Sequence, residues 1–176
     1  MTFLAVYHHD NLLNPVKLLT HREDIVAVLE HVSISYSFIE LVPELQGDQD
    51  DAALLTRLHS LYAEEYPYIE LQRLPAIPNY ARAERAQADV EHSCTDVGLR
   101  LCLQGTGVFC LNVAEQLMVL GCIPGDLLTI PAGVGHWFRQ GAGSDSVIVR
   151  LAGNCAGLEC AARIDGLAGK VELPEL

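Results

Sequence analysis

The sequence predicts a mainly β domain, an antiparallel barrel or sandwich of short strands with an α/β decoration at its N-terminal side. Three observations carry this. From Val90 onward short strand-like runs follow one another, separated by turn residues such as Gln104-Gly105, Pro124-Gly125 and Pro131-Ala132-Gly133. Before Val90 two stretches instead repeat their apolar residues at helical spacing. Half of the 176 residues are hydrophobic and 19% are charged, so the chain has material for a core and is not disordered.

The elements follow in order. Phe3 to Tyr7 reads as a strand, with a turn around Asn11–Pro15. His21 to His31 places Ile25, Val26, Val28 and Leu29 on a helical pattern. Ile34 to Val42 alternates and reads as a strand. The polar stretch 47–51 supplies aspartates that can cap the next helix. That helix, Ala52 to Glu65, carries Leu54, Leu55, Leu58, Leu61 and Tyr62 on one stripe and ends at Pro67. Tyr68 to Leu74 is a strand. Residues 80–89 are polar with a helical tendency. The β region then comprises Val90–Ser93, Leu99–Leu103, Gly107–Val113, Gln116–Ile123, Asp126–Ile130, His136–Arg139 and Ser146–Leu151. The Gly- and Ala-rich end reads as a covering segment. The expected organisation is one structural domain: 1–89 packing on the barrel, 90–153 as the barrel core, and 154–176 as the cover.

Charge and cysteine usage narrow the function. Acidic residues outnumber basic ones 23 to 11, giving a formal net charge of −12. Such a surface repels phosphate backbones and anionic membranes, so neither nucleic acid nor membrane is an expected partner. The N-terminal residues lack the pattern of a signal peptide and no run reaches membrane-span length, so the expected location is cytoplasmic. The six cysteines form no CxxC. Cys102, Cys110 and Cys122 sit in apolar runs and read as buried free thiols. A bridge between Cys155 and Cys160 is an open alternative without support. His8, His9, His21, His31 and His59 lie outside the β region and read as surface or packing residues.

Two segments carry chemistry. Gly125 to Gln140 spells G-x5-P-x-G-x2-H-x3-Q, where Pro131, Gly133, His136 and Gln140 mark a turn leading into a strand that aims His136 inward. This is the second motif of the cupin barrels, with Gln140 where Asn is usual. The segment from His92 to Gly105 has the spacing of the first cupin motif, H-x-H-x3-E-x6-G, but carries Cys94 and Gly98 where His and Glu stand in that pattern. With 74–80, Glu91-His92, Arg100, 104–109, 124–127 and 131–138, the chain resembles the acireductone dioxygenases, the cupin enzymes of methionine salvage.

The resemblance implies a cupin, or double-stranded β-helix jelly-roll, barrel holding one divalent metal. Its four ligand positions map onto His92, Cys94, Gly98 and His136, and its substrate-binding arginine onto Arg100. Read from the residues, strand alternation puts His92, Cys94, Asp96, Gly98, Arg100 and Cys102 on one parity. His92, Cys94 and His136 then form a two-histidine, one-thiolate set suited to Fe, Ni or Zn. Arg100 is the expected catalytic cation, holding an anionic or enolate oxygen of a small-molecule substrate, with O₂ as second substrate if oxygenase chemistry persists. Asp96, Gly98, Phe138 and Gln140 are expected to line the pocket. Three functions stay open: a metal-dependent enzyme of this descent with altered chemistry on an enolisable or sulfur-containing metabolite, a metal-free binding module or pseudoenzyme, and an ordinary acireductone dioxygenase.

Overall fold

The protein is described by a computed structural model that covers residues 1–46, 50–76, 78, 89–143, 145–171 and 173. Its strands are β1 (Phe3–His8), β2 (Lys17–Leu19), β3 (Ser35–Phe38), β4 (Tyr68–Leu74), β5 (His92–Cys94), β6 (Gly98–Gln104), β7 (Gly107–Val113), β8 (Gln116–Cys122), β9 (Asp126–Ile130), β10 (Gly135–Gln140), β11 (Ser146–Ala152) and β12 (Cys160–Ala162). Helix α1 spans Arg22–Glu30 and helix α2 Asp51–Tyr62. Asp50 caps α2 by accepting from the Ala53 N–H, the role expected of the aspartates before it. The tendency read over residues 80–89 falls outside the described residues, apart from Asp89.

All strand pairs are antiparallel and form two sheets. One runs β12-β5-β10-β7-β8-β1-β2 and the other β3-β9-β6-β11-β4. This is the mainly β jelly-roll arrangement the sequence predicts. Two strands were not legible there. β2 pairs with β1 through Leu4 and Leu19, just beyond the turn read around Asn11–Pro15, where no strand was read. β12 lies in the stretch read as a cover and pairs with β5, Cys160 opposite Cys94. The strand read over 34–42 stops at Phe38, because Ile39, Leu41 and Val42 turn to pack over the second sheet before Pro43 starts a short 3-10 turn.

Burial explains why the strands of the β region read as nearly continuous apolar runs. Between the sheets lie Leu4, Val6, Cys102, Phe109, Leu111, Met118, Leu120, Leu128 and Ile148, closed at one side by Ile25 and Leu29 of α1. The outer face of the second sheet, with Leu99, Leu101, Val147 and Val149, is covered by Leu54 and Leu58 of α2. The outer face of the first sheet, with Ala5, Cys110, Val119 and Trp137, is covered by Leu167 and Val171 of the C-terminal stretch. Strands covered on both faces lose the polar half of their alternation. Cys102, Cys110 and Cys122 are buried free thiols, as read from sequence.

Buried charges fix the ends of this frame. Asp126 accepts from the Tyr36 hydroxyl at 2.7 Å and the Ile123 N–H at 2.9 Å, tying β3 to the turn before β9. Glu91, 1% exposed, accepts from Asn112 Nδ2 at 2.9 Å and the Leu167 N–H at 2.6 Å, and pairs with Arg163. Glu91 therefore anchors the C-terminal stretch to the sheet immediately beside β5. Among the described residues, no helix is long and apolar enough to cross a membrane.

Candidate metal and disulfide site

The site sits between the sheets at the open end of the fold. His136 lies on β10 and His92 on β5, directly opposite each other in register. Gly133 has φ +77°, a conformation glycine adopts without strain, and its N–H donates to the Cys94 carbonyl at 3.0 Å. The Pro131-Ala132-Gly133 turn thus docks against β5 and delivers His136 toward Cys94. The Val134 carbonyl accepts from His136 Nδ1 at 3.0 Å, which leaves Nε2 with its lone pair facing inward. Burial, followed by the Arg100 and His92 charges, lowers the His136 pKa to about 4, so the ring is neutral at pH 7.

Three donors converge there. Cys94 Sγ, His136 Nε2 and Cys160 Sγ all lie within 4.8 Å of one another. Cys94 and Cys160 are joined as a disulfide across the β5–β12 pair. Cys155, the other partner considered for Cys160, is an exposed free thiol. Its separation from the site corrects the 155–160 alternative. Sequence reading missed Cys160 as a site residue, since Cys-Ala-Ala carries no strand signal and only its pairing with β5 reveals its place.

Arg100 is 4% exposed and fills the middle of this cluster. Its Nη2 lies 3.3 Å from Cys94 Sγ, 3.5 Å from His136 Nε2 and 3.7 Å from Cys160 Sγ, while Nη1 donates to the Leu99 carbonyl at 2.9 Å. Arg150 lies opposite Arg100 on β11 and donates to Cys160 Sγ at 3.2 Å. Glu70 pairs with Arg150 at 2.8 Å, whereas among the described residues no carboxylate lies within 4.0 Å of Arg100. Burial, then Arg150, lowers the Arg100 pKa to about 10, which leaves it a cation at neutral pH.

The remaining predicted residues separate. His92 is half-buried and lines the same cavity, but it is not one of the three mutually close donors. Phe138 and Gln140 also line it; Phe138 packs at a tilt against Phe109 with centroids 4.8 Å apart, and Gln140 Nε2 donates to the Leu74 carbonyl. Asp96 does not line the cavity. The chain bends between β5 and β6, which breaks the alternation, and the Asp96 carboxylate accepts instead from the Val97 N–H and Asn154 Nδ2. Those two hydrogen bonds lower its pKa. Gly98 does not open the pocket either. A Cβ there would come within 2.6 Å of the Gly157 carbonyl oxygen and 2.8 Å of Arg100 Nη1. The space a longer side chain would need is taken by the 155–157 turn and by Arg100.

The cavity in front of these groups measures about 590 Å³ and is lined by His92, Arg100, His136, Arg150, Cys160 and Phe138, among others. Its size suits a small metabolite. The donor chemistry suits a divalent ion. Bond lengths of about 2.3 Å to sulfur and about 2.0 Å to nitrogen put tetrahedral S and N ligands roughly 3.5 Å apart, and Cys94 Sγ and His136 Nε2 are 4.0 Å apart. The Arg100 guanidinium, itself a cation, lies within 3.7 Å of all three donors. Two thiolates and one imidazole would balance a divalent charge, once the sulfurs part.

Comparison with known proteins agrees with this architecture. The model of the ARD/ARD' family matches residues 21–154. An acireductone dioxygenase of Pseudomonas aeruginosa is 29% identical over 180 residues, covering 99% of both chains. One of Stutzerimonas stutzeri is 30% identical over 160 residues, covering 88% of each. Among solved structures, an acireductone dioxygenase from Bacillus anthracis with a cadmium ion in its active centre superposes with a TM-score of 0.66 at 17% identity, covering 92% of this chain and 98% of that one.

Proposed function

The chain belongs to the ARD/ARD' family, and from that premise we propose that it is a metal-dependent enzyme whose ligands, in the thiol form, are Cys94, His136 and Cys160. The observation that carries this is the convergence of those three donors within 4.8 Å at the head of the cavity. Relative to the ligand set implied by resemblance, the carboxylate position is closed at Gly98, His92 stands apart from the cluster, and Cys160 enters from β12. Two sulfurs and one nitrogen favour zinc over the iron or nickel also compatible with the family, because thiolates are soft ligands and are oxidised readily beside O₂. When bound, the ion would supply Lewis-acid polarisation of a substrate oxygen at an open fourth position.

The chain's own residues define the rest. Arg100, with no carboxylate partner among the described residues, would turn toward the cavity and hold the anionic or enolate oxygen of the substrate. His92, on the cavity wall, is placed to move a proton. Phe138 gives an apolar wall and His136 keeps its orientation through Val134. The reaction read from this set is lyase or isomerase chemistry on a small, anionic, enolisable or sulfur-containing metabolite, without O₂.

Cobalt substitution tests the ligand set. The reduced protein should give an intense sulfur-to-cobalt charge-transfer band that weakens in Cys94→Ser and again in Cys160→Ser. Acireductone offered with O₂ should turn over roughly 10–100-fold more slowly than with an ordinary acireductone dioxygenase, since ligands themselves have changed. A cobalt spectrum without sulfur bands, or O₂ uptake at ordinary efficiency, contradicts the reading. One observation favours a second reading, a metal-free binding module: the two sulfurs are bonded and a guanidinium lies among the donors.

A further inference from the structure

We propose that Cys160 is a thiol–disulfide exchange site for small anionic thiols, and that exchange there releases Cys94 and Cys160 as metal ligands. The inference rests on the metal reading above only in its last clause. Its first clause stands on geometry. The two sulfurs of the disulfide are not equivalent. Cys160 is part-exposed and lines the cavity, whereas Cys94 is 6% exposed and does not line it. A thiolate entering the cavity therefore meets Cys160 Sγ.

The charges around the bond favour that direction. Arg150 Nη2 lies 3.2 Å and Arg100 Nη2 3.7 Å from Cys160 Sγ, so an incoming anion meets two guanidinium groups. Glu70 balances Arg150, and Asp89 at the same cavity pairs with Arg139, so the excess cation is Arg100. Arg100 Nη2 also lies 3.3 Å from Cys94 Sγ, where the displaced sulfur would carry its negative charge. β12 is three residues long and forms the edge of its sheet, with Ala161 and Ala162 exposed, so Cys160 can move when the bond opens.

The step balances as follows. The small thiolate forms a bond to Cys160 Sγ, the Cys94–Cys160 bond breaks, and its electron pair leaves with Cys94 Sγ. A second thiolate then attacks the mixed disulfide at the sulfur of the small thiol. It releases the Cys160 thiolate and a disulfide of the two small thiols. Two electrons pass from the thiols to the protein, and the two cysteines can then take a divalent ion. Bonded sulfurs and metal-binding thiolates are exclusive states, so the oxidised protein is metal-free.

The test uses the unreduced protein in chelator, with 3-mercaptopropionate as the anionic probe and cysteamine as the cationic one. Free thiols are blocked at intervals and the peptides mapped. The expected result is a mixed disulfide on Cys160, formed about tenfold faster by the anionic probe after correction for thiolate fraction. Arg100→Gln should reduce that preference. Cys94 and Cys160 both blocked before any probe is added, an adduct on Cys94, or equal rates for the two probes would overturn the proposal. After exchange the chelator and small thiols are removed by desalting and zinc is added; exchange without zinc uptake would overturn the metal reading alone. Metal uptake by protein whose two cysteines were free from the start would overturn the exchange alone.

Discussion

At the scale of single residues, Gly98 and His136 decide how far this site has moved from its family. Gly98 stands where the resemblance implies a carboxylate ligand, and the Gly157 carbonyl and the Arg100 head group have closed over it. Restoring a carboxylate by Gly98→Glu should therefore fail to rebuild a family-like centre. It should cost about 1–3 kcal/mol of stability, as overpacking does, measured by urea unfolding. Recovery of oxygenase activity with unchanged stability would contradict that packing. His136 makes a pH prediction. Its pKa is about 4 in the fold, below its ordinary 6.5, mainly through burial. Between those values the unfolded chain binds more protons, so stability falls as pH drops from 6.5 toward 4. In chelator, His136→Asn should flatten that slope.

At the scale of elements, the C-terminal stretch is part of the site. β12 brings Cys160 to Cys94, and Glu91 holds the chain beyond it through Arg163 and the Leu167 N–H. Glu91→Gln would set an amide N–H₂ against one of the donors that now converge on the carboxylate. The expected loss is about 3 kcal/mol, with faster proteolysis after residue 163. Stability within 0.5 kcal/mol of the parent, by the same rough scale for neutral surface changes, would rule out this anchoring. The elements also show what the sequence could disclose. The runs from Gly98 to Ala152 were legible because two-sided burial leaves apolar blocks bounded by glycine and proline. The Pro131–Gly133 turn and His136 were legible because the turn needs those residue types. β2 and β12 were not, since three-residue edge strands have no periodicity to read. Asp96 was misplaced because alternation was carried through a bend.

At the scale of the whole molecule, two facing sheets with both outer faces covered enclose a polar cavity before Arg100 and His136. Thiol reactivity should map that enclosure. Burial pushes the Cys102 pKa up to about 12 and raises those of Cys110 and Cys122 as well. In the native protein Cys155 should alkylate first, Cys160 should follow only after reduction, and the three core thiols should stay unmodified at pH 8. Rapid labelling of Cys110 would contradict the packed interior. The family supplies the frame, and in the proposed metal reading Cys160 supplies the departure, a second sulfur beside Cys94 and His136. The most direct check is metal per chain after zinc loading and desalting, with the protein first reduced or first oxidised. The account predicts about one equivalent in the reduced protein and essentially none in the oxidised protein or in Cys160→Ala. Equal occupancy in both redox states, or none in the fully reduced protein, would contradict it.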